Sequence, residues 1–360
     1  MKSLSLIIFV STLCLCNSCV TSNESSNTIS LIDVAGEVDL DDLFEDFEYI
    51  QLETTDKSIY GQVNKLIIHN NKFYILDSQT KKVLVFQTDG AFSHTIGGIG
   101  KGPGEYTHIE DMVIDVENEQ LVILGYPSIV YIYHLNGDFI ARKHLPVADP
   151  LWNICTHNGG FICSNNHQLV GQGKTLMYSF DKDFNLTGKI GTTIANDLPP
   201  FISLPFLQDG ENIVYFDNFT SFLCFINTND ISKSDSIKLR LNNPIPPEVL
   251  SDPQKFIEEQ RNYSFFNYAY LANDILWSAF VNRGVFCVFI KDFKNNQEII
   301  ANYNNVWPKM LYHDHTYFYG AMSNEDIMSG EFPATPVTKY TIGEESNPVI
   351  LRFKPKQIFK

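Results

Sequence analysis

Positive charge is scarce in this chain. Its 26 lysines and arginines stand against 42 aspartates and glutamates, a formal net charge of −16. Such a surface repels phosphate backbones, so nucleic acid is not expected as a partner. No apolar stretch at the N-terminus is long enough to span a bilayer as a mature helix: Leu4 to Leu15 is about half the length required. Cysteine is sparse, with seven in all, and the four in the body of the chain (Cys155, Cys163, Cys224 and Cys287) form no Cys-x-x-Cys motif that would support a zinc or redox site. A Gly-x-Ser-x-Gly nucleophile elbow is absent too, so no Ser-His-Asp hydrolase is indicated.

What is present at the N-terminus reads as targeting rather than fold. Met1-Lys2 and the apolar run after it resemble the start of a signal peptide over residues 1–18. Leu15-Cys16-Asn17-Ser18-Cys19 resembles a bacterial lipobox, with Ser18 as the small residue before the acylated Cys19; Cys16 stands where leucine is usual. Acyl chains contribute about 0.8 kcal/mol per buried CH₂, so Cys19 is expected to anchor the mature chain in membrane lipid at the cell envelope, on the periplasmic or outer surface. Residues 19–40 read as the lipidated cysteine and a flexible linker, and 41–360 as a single domain.

That domain is repetitive. Leu66–Asp77 and Val113–Leu124 each show two alternating apolar strands around a polar turn, and each runs on into a third strand, Val83–Phe86 and Val130–Tyr133. The pattern returns six times. An all-strand repeat of roughly 40–50 residues is the mark of a β-propeller, so the expected fold is all-β, a six-bladed β-propeller acting as a monomer. The last unit lacks an outer strand, and Phe47–Leu52 ahead of the first is spare; an N-terminal strand pairing with the last blade would close the ring and remove two exposed edges. Asn242–Asn267 and Met322–Asn347 interrupt the rhythm. In the first, Asp252 as N-cap and Pro253 behind it predict a short helix.

The run Ile96-Gly97-Gly98-Ile99-Gly100-Lys101-Gly102-Pro103-Gly104-Glu105-Tyr106, preceded by Asp89-Gly90-Ala91-Phe92, resembles the inter-blade loop of six-bladed propeller lipoproteins common in Bacteroidetes, which are similar to NHL-repeat propellers. Ile50-Gln51-Leu52-Glu53-Thr54 and Asn347-Pro348-Val349-Ile350 also match. The resemblance covers nearly the whole mature chain. It implies the six-bladed ring and an envelope lipoprotein, and it implies no activity, so no catalytic residue is carried over from it.

The repeat also sorts the conspicuous residues. The glycine-rich run is neither a P-loop nor G-x-G-x-x-G, and a strand rather than a helix follows it; Gly100, Gly102, Pro103 and Gly104 are assigned to a structural blade crossing. His313-Asp314-His315 shares an a–b hairpin position with His69 and His157, so these turns are expected to stand apart on one rim, and no metal or other cofactor is expected. Asp77 and Asp217 end second strands, where a carboxylate can hold the next turn or face a channel mouth.

With strands a to d running outward, the d–a and b–c connections share one face. The ligand face is therefore expected to include Glu105, Tyr106, Tyr126, His167, Asp217, Asn218, Asn282 and Arg283, the last a lone guanidinium suited to a carboxylate or sulfate. The two interruptions are expected to wall the same mouth. Two function classes fit: an envelope-anchored binding or interaction lipoprotein holding a glycan, peptide or partner protein, or a lyase- or lactonase-type enzyme with its site at the channel mouth.

Overall fold

Tight polar turns convert the alternating apolar segments into hairpins. In the first blade Asn70 and Asn71 sit at φ 48° and 57°, and His69 pairs with Lys72 across them. Two successive left-handed residues give the two-residue turn whose twist matches that of paired strands. The fifth blade uses the device twice, at Asn273–Asp274 and at Arg283–Gly284.

The computed structural model describes residues 28–157, 159–168, 174–193, 205–209, 212–218, 220–228, 234–250, 252–304, 309–330, 334–343 and 345–359. The expected signal segment and Cys19 lie outside them. Six antiparallel sheets form the ring. The first blade comprises Lys65–His69, Lys72–Asp77, Lys82–Gln87 and Phe92–Ile96; the second Asp111–Asp115, Gln120–Gly125, Ile129–His134 and Phe139–His144. The third has Asn153–His157, Gly160–Ser164, Thr175–Asp181 and Leu186–Thr192; the fourth Phe206–Asp209, Asn212–Asp217, Phe222–Ile226 and Asp235–Leu241. The fifth has Ser264–Ala272, Ile275–Asn282, Val285–Asp292 and Gln297–Tyr303. The sixth takes Met310–His313, Phe318–Met322 and Val349–Pro355 from the end of the chain and Phe44–Ile50 from its beginning.

The core lies between blades, because each sheet buries both faces against its neighbours. Tyr74, Val83 and Val85 of the first blade pack on Met112, Leu121 and Tyr131 of the second. Val122 and Leu124 then meet Ile154, Phe161 and Phe180 of the third. At the seam, Trp277 and Ile290 of the fifth blade pack on Phe44, Phe318 and Phe353 of the sixth, and Leu311 and Ile350 of the sixth on Leu66 and Phe73 of the first. Burial of this kind contributes about 25 cal/mol per Å² of apolar surface.

Closure follows the expected N-terminal strand. Phe44–Ile50 runs antiparallel to Val349–Pro355, with Ile50 opposite Ile350 and Glu48 opposite Arg352; Arg352 Nε donates to the Glu48 carboxylate at 2.8 Å. Asn347, fully buried, is the clasp. Its Oδ1 accepts from the Tyr60 backbone N–H at 3.0 Å, and its Nδ2 donates to the carbonyls of Glu53 and Ser58 at 3.1 and 3.0 Å. The two short segments that carried the family resemblance at either end of the chain, 50–54 and 347–350, thus bind each other.

Three details go beyond the repeat. Part of the stretch read as linker is built into the ring: Thr28–Leu31 adds a parallel fifth strand to the fourth blade, and Glu37–Val38 does the same for the fifth. No described residue of the insertion 322–347 lines the channel. The insertion forms the helix Asn324–Met328, then runs outside the closing strand, where Thr335–Pro336 pairs in parallel with Glu48 and Tyr49. Both cover sheet edges that would otherwise offer unpaired backbone groups. The predicted helix in the other interruption is Pro253–Glu259, capped by Asp252, whose side chain accepts from the Gln254 and Lys255 N–H groups.

Candidate functional site

The innermost strands enclose a channel on the axis, a cavity of about 480 Å³ to which all six blades contribute. A volume in this range suits a small molecule. The face where inner strands begin, with the d–a and b–c connections, is here the entry face; the a–b turns form the hairpin face.

At the entry end, polar residues head the inner strands. Lys65, Asp111 and Asn153 are the first residues of theirs, Lys309 directly precedes another, and Asn267 and Asn218 join them in the wall. Lys65 Nζ lies 2.8 Å from Asp111 Oδ1. Asp111 Oδ2 in turn accepts from the Ile154 N–H at 2.8 Å, so one carboxylate ties three blades. Lys309 makes no ion pair among the described residues, and its burial lowers the ammonium pKa from the usual value. Further in, Ile67, Val113, Cys155, Phe206, Tyr268 and Leu311 line the channel. Burial raises the Cys155 thiol pKa well above the ordinary range, with Lys65 working in the opposite direction, which disfavours the thiolate. Among the described residues Cys155, Cys163, Cys224 and Cys287 form no disulfide.

At the hairpin end, His69, Gln208, Tyr270, His313 and His315 reach the wall. Two of the three histidine turns therefore meet one cavity instead of standing apart on a rim, because the strands converge on the axis. His69 Nε2 is 3.2 Å from the Glu119 carboxylate, and the His313 ring packs edge-on against Tyr270 at 5.7 Å. Among the described residues no group of three or more His, Cys, Asp or Glu is placed to hold a metal ion.

The residues expected on the ligand face separate into three groups. Asn218 lines the channel. Tyr126 (45% exposed), Glu105 and Arg283 are on the surface outside it. Arg283 occupies a left-handed turn position at φ 50° and makes no ion pair among the described residues. Tyr126 packs against Trp152 at 5.8 Å and His108 at 6.4 Å. Of the remaining residues, Tyr106, His167 and Asp217 are buried and Asn282 is half-buried. Tyr106 is 1% exposed and donates its hydroxyl to the Ile96 carbonyl at 3.0 Å. The Asn282 Oδ1 accepts from Ser264 Oγ at 2.9 Å. His167 and Asp217 are buried against each other, Nε2 to Oδ2 at 3.0 Å, joining the third and fourth blades. Burial pushes the Asp217 pKa up, but the His167 hydrogen bond and charge and the Thr220 donors outweigh it, leaving the carboxyl below its ordinary value.

The glycine-rich loop is a blade crossing. Gly98–Ile99 pairs in parallel with Glu105–Tyr106, and Glu105 accepts from the Gly102 N–H at 2.8 Å. Gly97 has φ +68°, and a Cβ there would lie 2.5 Å from the Tyr106 ring and 2.7 Å from the Tyr133 hydroxyl. Asp77 takes its turn-holding role, accepting from the N–H groups of Gly61, Gln79 and Thr80.

Sequence reasoning missed Lys65, Asp111, Asn153, Asn267, Tyr268 and Lys309. The signal was available for four of them: a polar residue at the first position of, or just before, the innermost strand in blades one, two, three and six.

A family model described as a domain of unknown function, DUF4934, matches residues 26–354. The chain belongs to the DUF4934 family. Its fold is shared with solved structures. A Bacteroides fragilis protein described as exported matches with a TM-score of 0.73 at 15% identity, covering 92% of this chain and 100% of that one. A DUF4221-family member from Bacteroides vulgatus matches with a TM-score of 0.57 at 12% identity, covering 87% and 98%. No curated protein matches. Among the described residues no helix is long and apolar enough to cross a membrane.

Proposed function

We propose that this DUF4934 protein is an envelope-anchored binding lipoprotein whose ligand enters the central channel from the entry face. One observation carries the reading: a 480 Å³ channel with a polar collar of Lys65, Asp111, Asn153 and Lys309 above an apolar, aromatic belt. Such a combination of apolar lining and a few convergent polar groups is the usual make-up of a small-molecule site. The channel replaces the outer loops as the main seat of binding, because the 322–347 interruption pairs with the closing strand and the other forms short helices. The segment before Thr28, with its signal-like run and Cys19, supports export and acylation, in keeping with the exported description of the Bacteroides fragilis neighbour.

The first described strand bears on how the proposed anchor is arranged. Thr28–Leu31 runs parallel to Asp235–Leu241, an outer strand that heads towards the entry face. The position of Thr28 on the hairpin side supports an arrangement in which the entry face is turned away from the membrane.

The test is a ligand screen by thermal shift on the wild-type chain and on Ile67→Trp, which places an indole in the apolar belt and narrows the channel there. Hits lost in Ile67→Trp, whose melting temperature stays near wild type, support the channel. Hits retained at full strength by the variant place binding elsewhere and contradict it.

A further inference from the structure

This inference rests on the channel reading and names the chemistry of the ligand. At the entry end the charges do not cancel. Asp111 neutralises Lys65 at 2.8 Å, and Lys309 lines the same cavity with no acidic partner among the described residues. A net positive seat thus stands at the mouth in a chain whose overall charge is −16. A cation held partly out of water without a counter-ion is unfavourable, and the lowered Lys309 pKa reflects that cost. Beneath it, Ile67, Val113 and Leu311 offer only hydrocarbon.

We infer that the channel takes a small amphiphile bearing one negative charge, with its carboxylate or sulfate against Lys309 and its hydrocarbon in the apolar belt. The anion supplies the counter-charge that no described residue gives Lys309, and hydrogen bonds to charged groups are the stronger ones. The Asn218 amide in the same wall is available to the headgroup. The Lys65–Asp111 pair already has its partners, so it shapes the mouth without adding net charge. A second negative charge on the ligand would have no cation of its own and would face Asp111.

The test uses the full chain with Cys19→Ser, so that no acyl group of its own competes, titrated calorimetrically with octanoate, octyl sulfate and octanol. Octanoate or octyl sulfate is expected to bind about tenfold or more tightly than octanol, and the two anions distinguish a carboxylate from a sulfate source. Lys309→Met is expected to bring the preferred anion down to the octanol level and leave octanol unchanged, with Lys309→Arg restoring the difference. Equal binding of anion and alcohol, or an unchanged anion affinity in a folded Lys309→Met, overturns the inference while leaving the channel reading in place. If none of the probes binds, the inference falls. The channel reading falls separately, when Ile67→Trp retains every screening hit.

Discussion

The buried pair between the third and fourth blades gives a stringent test of where structure ends and function begins. His167 is 0% exposed and its Nε2 lies 3.0 Å from Asp217 Oδ2. Removing one member strands the other. His167→Ala leaves a buried carboxylate that has lost its imidazole partner, and Asp217→Ala leaves a buried imidazole that has lost its carboxylate. Breaking a buried pair from one side costs about 3–5 kcal/mol, a hundredfold or more in the folding equilibrium. The double variant strands nothing, so its cost should fall well short of the sum, with a coupling of about 1–3 kcal/mol. Urea unfolding of the four proteins measures this directly. The pH dependence gives an independent check. The Asp217 pKa is lowered in the folded state, so its contribution is full above the unfolded value of about 3.9 and disappears as pH falls through the folded one. The gap between wild type and Asp217→Asn should therefore close in acid. Additive losses of under about 1 kcal/mol each, with a pH-independent gap, would refute the assignment of this pair as a blade lock.

Three further perturbations follow from the same geometry. Gly97→Ala combines a left-handed φ with a Cβ 2.5 Å from Tyr106, and should cost about 2 kcal/mol or more in urea unfolding. Asn347→Ala removes the three side-chain hydrogen bonds of the ring clasp; about 3 kcal/mol should be lost, and hydrogen exchange should speed up first in Phe44–Ile50. Lys309→Met removes a partly buried cation that has no counter-ion among the described residues and should raise the melting temperature. Burial lowers the Lys309 pKa in the folded state, so that gain is largest below the folded value and fades as pH rises towards about 10.4, where an unfolded lysine titrates.

The ring was legible because propellers repeat a local rule. Apolar alternation, Asn-rich two-residue turns and an unpaired N-terminal strand are properties of short windows, and each was found where the pattern placed it. The Asp252–Pro253 helix start is equally local. The site was much less legible. His167, Asp217 and Tyr106 stood out as polar residues on connections, yet all three turn inward, because a propeller buries its blade-to-blade contacts right up to the loop ends. The interruptions attracted attention by length, but 322–347 follows a free sheet edge, and an edge is visible only once the closing strand is in place. Lys65, Asp111 and Lys309 were overlooked because each is ordinary within its own blade. Only the superposition of blades around one axis gathers them into a single collar.

The most direct test of the channel claim is native mass spectrometry of the protein released gently from its own envelope, beside Ile67→Trp prepared in the same way. A non-covalent small-molecule adduct is expected on the wild-type chain and is expected to be missing from a folded Ile67→Trp. An adduct of the same mass and occupancy on both proteins would contradict the claim.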